Sequence, residues 1–95
     1  MRFEWDDEKA VANLKKHGVS FGEATEVFYD PNALEGYDQE HSENENRFFI
    51  IGLSSRRLLF VVYGELIREV VRIISARKAV QKEQQAYERT TPNQR

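Results

Sequence analysis

Residues 47–63 read RFFIIGLSSRRLLFVVY, two runs rich in aromatic and β-branched side chains with a short polar segment between them. Such runs favour β-strands, and the polar segment 54–57 is typical of a hairpin turn. Their unbroken apolar character indicates strands that are largely covered on both faces. A new turn is expected at 64–67. Residues 68–75 (REVVRIIS) then predict a third strand, so this region predicts an antiparallel meander.

The N-terminal residues predict a short strand followed by a helix. Residues 2–5 alternate polar and apolar side chains, as a half-buried strand does. Asp6 is a suitable N-cap for a helix over 7–17, and Gly18 stands where a left-handed C-cap would end it. The buried stripe predicted for this helix consists of Val11, Leu14 and His17.

A second helix is predicted over 21–29. Ser20 and Glu23 have the spacing of a capping box, in which each side chain accepts a hydrogen bond from a backbone N–H group. Pro31 cannot continue a helix and restrains the residue before it, so the helix ends there. Residues 32–46 are polar and acidic and read as a loop, with a possible short strand at 33–37.

A final helix is predicted from Ser75 or Ala76 to about Arg89, with Glu83 and Tyr87 on one face. The whole pattern is an α+β domain: an antiparallel sheet of three to five strands with two N-terminal helices and one C-terminal helix. We expect a single domain over residues 1–89 and a flexible C-terminal tail over 90–95.

Composition limits the classes of protein that remain. The chain contains no cysteine, which excludes disulfides and cysteine-ligated zinc and fits a cytoplasmic location. Neither a signal peptide nor a membrane span is indicated, because the N-terminus is charged and the longest apolar stretch is short. The two histidines, His17 and His41, have no carboxylate at a recognisable metal-ligand spacing, so neither a metal nor a cofactor is expected.

The net charge of −2 conceals a division along the chain. Residues 1–46 contain twelve acidic and four basic residues, a net charge of −8, whereas residues 47–95 contain four acidic and ten basic residues, a net charge of +6. This division favours a cationic surface for nucleic acid or for an acidic partner. The alternative is that the two halves neutralise each other in the fold.

Among the residues of the predicted strands, Arg72 is the strongest candidate for a functional role. It lies between Val70, Val71, Ile73 and Ile74, where an arginine is costly unless it forms an ion pair or lies at a functional surface. Other candidates have simple structural alternatives: residues 15–18 resemble a solvated helix C-terminus, Glu65 a solvated turn residue, and residues 56–57 the charged tip of a hairpin.

The sequence resembles the BrnT family of ribonuclease toxins from type II toxin–antitoxin systems. The match extends from residue 3 to residue 87, and its most specific segments are KHGV at 16–19 and RIISAR at 72–77. The residues that carry it are Phe3-Glu4-Trp5-Asp6, Lys9, Asn13, Lys16-His17-Gly18-Val19, Phe21, Glu23-Ala24, Val27-Phe28, Asp30-Pro31, Ile51-Gly52, Ser54, Val61-Val62-Tyr63, Glu65, Arg72-Ile73-Ile74-Ser75-Ala76-Arg77, Ala79, Glu83 and Tyr87.

The resemblance implies a RelE-like fold, cleavage of RNA that arrests growth, and neutralisation by a BrnA-type antitoxin encoded beside the toxin. Operator DNA would be bound only through the antitoxin complex. The catalytic candidates are His17, Glu65, Arg72 and Arg77. Arg72 and Arg77 would stabilise the phosphate, and Glu65 or His17 would transfer the proton. Substrate binding is assigned to Lys9, Lys16, Arg57 and Lys78. The stretch 66–71 is more apolar than the family pattern leads us to expect.

Two alternatives stay open at this point. The basic half could hold RNA or a partner without cutting it, in which case RNA would remain intact under full occupancy. It could also dock an acidic protein only, in which case it would show no affinity for RNA. Strong weakening of RNA binding by salt would support phosphate contacts.

Overall fold

A computed structural model describes residues 1–41, 46–64 and 67–90. The strands are β1 (Arg2–Glu4), β2 (Leu34–Tyr37), β3 (Arg47–Leu53), β4 (Leu58–Gly64) and β5 (Val70–Lys78), and the helices are α1 (Asp7–His17), α2 (Phe21–Glu26) and α3 (Gln81–Thr90). Short 3-10 helices cover Val27–Tyr29 and Gln39–His41. The α+β class and the order of the elements are confirmed. Of the predicted tail, residues 91–95 lie outside the described residues.

The five strands form one sheet in the order β1-β5-β4-β3-β2. The meander of β3, β4 and β5 is antiparallel as predicted, and β2 joins β3 antiparallel. At the other edge β1 runs parallel to β5, with Arg2 opposite Val70 and Glu4 opposite Arg72. The sheet is therefore mixed. The direction of β1 was missed because it depends on the path of the chain through α1 and α2, which the local alternation does not encode.

The bounds of α1 are those predicted, but its buried face is not. Asp6 Oδ1 accepts hydrogen bonds from the N–H groups of Glu8 and Lys9 at 2.9 and 3.1 Å, and Gly18 ends the helix at a φ of 70°. Val11 and Leu14, however, are 59% and 51% exposed. The prediction that they form the buried stripe was wrong, and a polar residue faces inward instead.

That residue is Asn13, which is 8% exposed. Its Nδ2 donates to the carbonyl oxygens of Val19 and Ala76 at 3.0 and 2.8 Å, and its Oδ1 accepts from the Ala76 N–H at 3.2 Å. Because β1 pairs only with the first three residues of β5, the backbone of β5 needs another partner at Ala76. The side-chain amide of Asn13 supplies it, which explains why α1 turns this face to the sheet.

The second predicted helix is an α-helix followed by a 3-10 turn within the predicted range. Ser20 Oγ accepts a hydrogen bond from the Glu23 N–H at 3.0 Å, as expected for an N-cap. The Glu23 carboxylate does not complete the capping box. It binds Arg57 and the hydroxyl of Ser54 instead, because β3 and β4 bring these groups to the start of α2.

The boundary between β5 and α3 was predicted wrongly. The strand continues to Lys78, and α3 begins at Gln81 rather than at Ser75 or Ala76. Pairing with β4 and with Asn13 holds Ala76 in the strand and overrides the helical preference of alanine. The strand also starts at Val70, after a tight turn in which Arg68 and Glu69 have φ values of 54° and 63°.

The side of the sheet that α1 and α2 cover, here called the inner face, contains the hydrophobic core. The core consists of Val19, Phe21, Ala24, Val27, Ile50, Leu59, Val61, Tyr63, Val71, Ile73 and Ala76. The alternating residues of β4 and β5, among them Phe60, Val62 and Arg77, point to the opposite side, called the outer face. In the part of the chain that the structure covers, no helix has both the length and the apolar character needed to cross a membrane.

Candidate active site

A groove with a volume of about 410 Å³ lies on the outer face beside β4 and β5, where the ends of α1 and α3 meet it. We call it the outer groove. Its lining consists of His17, Asp38, Glu40, Phe60, Val62, Ser75, Arg77, Val80, Lys82 and Glu83. Two of the four predicted catalytic residues, His17 and Arg77, therefore lie in one groove although they are 60 positions apart in the sequence.

Arg77 is held by a two-point ion pair with Glu83. Its Nη1 and Nη2 donate to Glu83 Oε1 and Oε2 at 2.9 and 2.8 Å, and Nη1 also donates to the carbonyl oxygen of Lys78 at 3.2 Å. These bonds use the end of the guanidinium. Its other edge, formed by Nε–H and the second Nη2 hydrogen, has the geometry that binds two phosphate oxygens.

The guanidinium of Arg77 also lies over an aromatic stack. Its Cζ is 4.3 Å from the centre of the Phe60 ring, and Phe60 is stacked on Phe49 with ring centres 5.4 Å apart. The Phe49 ring in turn covers Gly36 so closely that a Cβ there would be 2.5 Å from it. The stacked residues Gly36, Phe49 and Phe60 therefore hold the guanidinium of Arg77 in place on the outer face.

Glu83 is 9% exposed and binds a third donor besides the two nitrogens of Arg77. The N–H of Val80 donates to its Oε1 at 2.9 Å, which caps the start of α3. Burial raises the pKa of Glu83, but the hydrogen bonds from Arg77 and Val80 outweigh it and hold the pKa below the ordinary value. Glu83 is therefore an ionised anchor that ties α3 to Arg77.

His17 reaches the outer groove from the last position of α1. The helix ends there because Gly18 takes the left-handed conformation and its N–H donates to the Leu14 carbonyl oxygen at 2.9 Å. Asn13, one turn earlier, fixes this end of the helix against β5. The half-buried imidazole thus has a defined place beside the strand that carries Arg77.

Arg72 lies on the outer face at the other end of β5, and it is exposed rather than buried. Gly64 on the neighbouring strand lies beside it: a Cβ at Gly64 would be in ordinary van der Waals contact with the Arg72 Cβ, at 3.6 Å. Arg72 shares a small cleft of about 100 Å³ with Lys9 and Arg47. It also lines a larger cleft of about 430 Å³ with Arg2 and other residues.

The remaining predicted residues lie outside the outer groove. Arg57 donates from Nε and Nη2 to the two oxygens of Glu23 at 2.9 and 2.8 Å and to the Gly18 carbonyl at 2.9 Å, so it links the β3–β4 turn to the start of α2. The hydrogen bond from Arg57 lowers the pKa of Glu23. Lys16 and Lys78 are exposed on α1 and at the end of β5. Glu65 lies outside the described residues.

Sequence reasoning missed several residues of the groove. They are Asp38, Glu40, Ser75, Lys82 and Glu83. Ser75 and Glu83 belong to the pattern shared with the BrnT family, and that signal could have marked them. Asp38 and Glu40 lie in a stretch without periodicity, which gives no indication of their place. Across residues 1–41, 46–64 and 67–90, no three side chains of the His, Asp or Glu type come together in a group that could hold a metal ion.

The fold and the groove define a small α+β protein in which a histidine and an ion-paired arginine line one cleft of a mixed sheet. Residues 5–83 match the family model described as "Ribonuclease toxin, BrnT, of type II toxin-antitoxin system". Because this match covers most of the chain, the protein belongs to the BrnT family of ribonuclease toxins. An antitoxin partner follows from membership of a type II toxin–antitoxin family.

A solved structure supports the fold. The crystal structure of the Brucella abortus ribonuclease toxin, BrnT, is similar with a TM-score of 0.66, and the match covers 85% of this chain and 99% of that one at 24% sequence identity. No curated protein sequence matches the chain. The earlier resemblance to BrnT toxins is therefore confirmed by the family model, and the fold by the solved structure.

Proposed function

We propose that this BrnT-family ribonuclease cleaves RNA in the outer groove with side chains alone and without a metal ion. The observation that supports this is the presence of His17 and Arg77 in one groove of about 410 Å³. In such a reaction the 2′-oxygen of a ribose attacks the adjacent phosphorus and the bond to the 5′-oxygen breaks. The products are a 2′,3′-cyclic phosphate and a 5′-hydroxyl, and the proton released by the 2′-hydroxyl is balanced by one delivered to the 5′-oxygen.

The roles follow from the chemistry of each side chain. The His17 imidazole transfers a proton, because one ring nitrogen of an imidazole can accept a proton and the other can donate one. Arg77 binds the phosphate through the edge of its guanidinium that Glu83 does not occupy, where it stabilises the charge that develops in the transition state. Glu65 stays a proposed proton-transfer group.

The basic residues on the outer face extend the proposed site. Arg72 and Arg77 are five residues apart on β5, about 16 Å at the rise of a strand. Lys9, which shares the cleft of about 100 Å³ with Arg72, and Lys78, which follows Arg77 in the sequence, are proposed as RNA contacts. Lys16 is proposed as a further RNA contact. Arg57 is proposed as one too, although its bonds to Glu23 and Gly18 favour a structural role.

The proposal includes the partners that the family implies. A BrnA-type antitoxin neutralises the toxin in the cytoplasm, and operator DNA is bound only through the complex of the two. Residues 1–89 form the toxin domain, and the outer groove is its RNA site.

The test is cleavage of a single-stranded RNA by purified variants. Arg77→Ala should lower kcat/KM by about 10²–10³ and His17→Ala by at least about 10², whereas Lys15→Ala, an exposed change on α1, should have no effect. Arg77→Lys keeps a positive charge beside Glu83 but removes the planar edge, so it should fold and still lose most activity. Cleavage should be the same with EDTA as with magnesium.

Two results would contradict the proposal. One is full activity of both His17→Ala and Arg77→Lys, which would place the chemistry elsewhere. The other is loss of cleavage by the wild-type protein in EDTA, which would indicate a metal. RNA that is bound at saturation but remains intact would support the non-catalytic alternative.

A further inference from the structure

Six aromatic rings form a continuous row across the inner face, at the end of the sheet that α1 and α2 leave uncovered. In order they are Tyr29, Phe3, Phe28, Tyr63, Phe48 and Tyr37, and neighbouring ring centres are 6.4, 5.3, 5.0, 5.7 and 5.6 Å apart. We call this row the aromatic ribbon. It connects all the strands from β1 to β2 except β5.

The aromatic ribbon borders the hydrophobic core, but its two ends are exposed to solvent. Tyr63 is buried at its centre, but Tyr29 and Tyr37 at its ends are 64% and 45% exposed. Phe3, Phe28 and Phe48, between the centre and the ends, are half-buried. Single exposed apolar side chains are common, whereas exposed tyrosines at both ends of one row of contacting rings fit the enrichment of aromatic residues at protein–protein interfaces.

The charge of the ribbon distinguishes between possible ligands. Glu35, an exposed residue of β2, accepts a hydrogen bond from the Tyr63 hydroxyl at 2.5 Å, which fixes a carboxylate beside the rings. A guanidinium is favoured twice at such a surface, by the carboxylate and by the faces of the rings.

We propose that the aromatic ribbon is the surface on which the antitoxin docks, through an arginine-containing segment that is otherwise apolar. The arginine pairs with Glu35 and lies against a ring of the ribbon, and apolar side chains cover Tyr29 and Tyr37. This inference rests on the antitoxin partner in the proposed function. Because the ribbon is on the inner face and the outer groove on the other side of the sheet, the two sites can be changed separately.

The experiment measures the Kd between this protein and the purified product of the antitoxin gene beside it, by calorimetry. Tyr29→Ala and Tyr37→Ala should each raise the Kd by about tenfold or more, since exposed tyrosines in an interface are frequent hot spots. Glu35→Gln should also raise the Kd and should reduce the loss of affinity caused by added salt. Leu53→Ala, at an exposed apolar residue outside the ribbon, is the matched control and should change nothing.

Each variant is also tested for RNA cleavage without antitoxin, where wild-type activity is expected, and for thermal unfolding. Unchanged Kd values for both tyrosine variants would overturn the proposal. Loss of RNA binding with antitoxin affinity intact would show that the ribbon stacks nucleobases, and loss of self-association would show that a second copy covers it. Each of these two results would also overturn the proposal that the antitoxin docks on the ribbon. If antitoxin binding depends on the ribbon while the wild-type protein cleaves no RNA, the docking surface stands and the proposed reaction fails.

Discussion

Asn13 shows how much of this fold depends on one polar side chain. Asn13→Ala leaves the Ala76 N–H and two carbonyl oxygens without their side-chain partner in a buried place, so we expect it to lower the free energy of unfolding by about 2–3 kcal/mol. Urea unfolding measures this. Val11→Ala, at an exposed position of the same helix, should change stability by less than about 0.5 kcal/mol. Equal effects of the two changes would contradict the role given to Asn13.

Glu83 makes stability depend on pH. Its pKa in the folded protein lies below the ordinary value of 4.5, so its contribution is fully present above that pH. The contribution is lost as the pH falls through the folded pKa, because the protonated carboxyl no longer pairs with Arg77. Unfolding free energies measured between about pH 6 and pH 3 should therefore fall less steeply for Glu83→Gln than for the wild type. Glu88→Gln, exposed on the same helix, should keep the wild-type slope.

At the scale of elements, β2, β3 and β4 position Arg77, because each contributes one residue to a close stack: Gly36, Phe49 and Phe60. Gly36→Ala would place a Cβ 2.5 Å from the Phe49 ring, so this ring must shift, which disturbs its stacking on Phe60. We expect a loss of about 1–3 kcal/mol in stability together with reduced RNA cleavage. At Gly22 in α2 a Cβ meets only the Ser20 hydroxyl at 3.8 Å, so Gly22→Ala should instead stabilise the protein by about 0.5–1 kcal/mol. Destabilisation by both changes would refute this account of the stack.

The elements were predicted well where local signals determine them. Asp6, Gly18 and Ser20 define the helix boundaries through capping, and residues 47–63 define a hairpin through composition. The end of β5 was missed because its last residues are kept in the sheet by distant partners, Asn13 among them. The inward face of α1 was missed for the same reason: an apolar pattern does not reveal that a strand edge needs an amide.

For the whole molecule, the sequence marked the side chains that we propose act on RNA, but it did not reveal their neighbours. His17 and Arg77 could be selected from their chemistry and from the family pattern, and the fold brings them into one groove. That Arg77 is already paired with Glu83, and that Arg72 lies at the other end of the outer face, depends on pairings across the sheet. Neither the alternation of polar and apolar residues nor the number of charged residues reveals these pairings.

The parallel pairing of β1 with β5 has a consequence for how the protein folds. Arg2 pairs with Val70, so β1 has no partner in the sheet until a strand 68 residues further along the chain is in place. Contacts that close so large a loop form late in folding. Arg72 and Arg77 are on that same late strand. The RNA site that we propose in the outer groove is therefore completed late in folding, and a partly folded toxin lacks it.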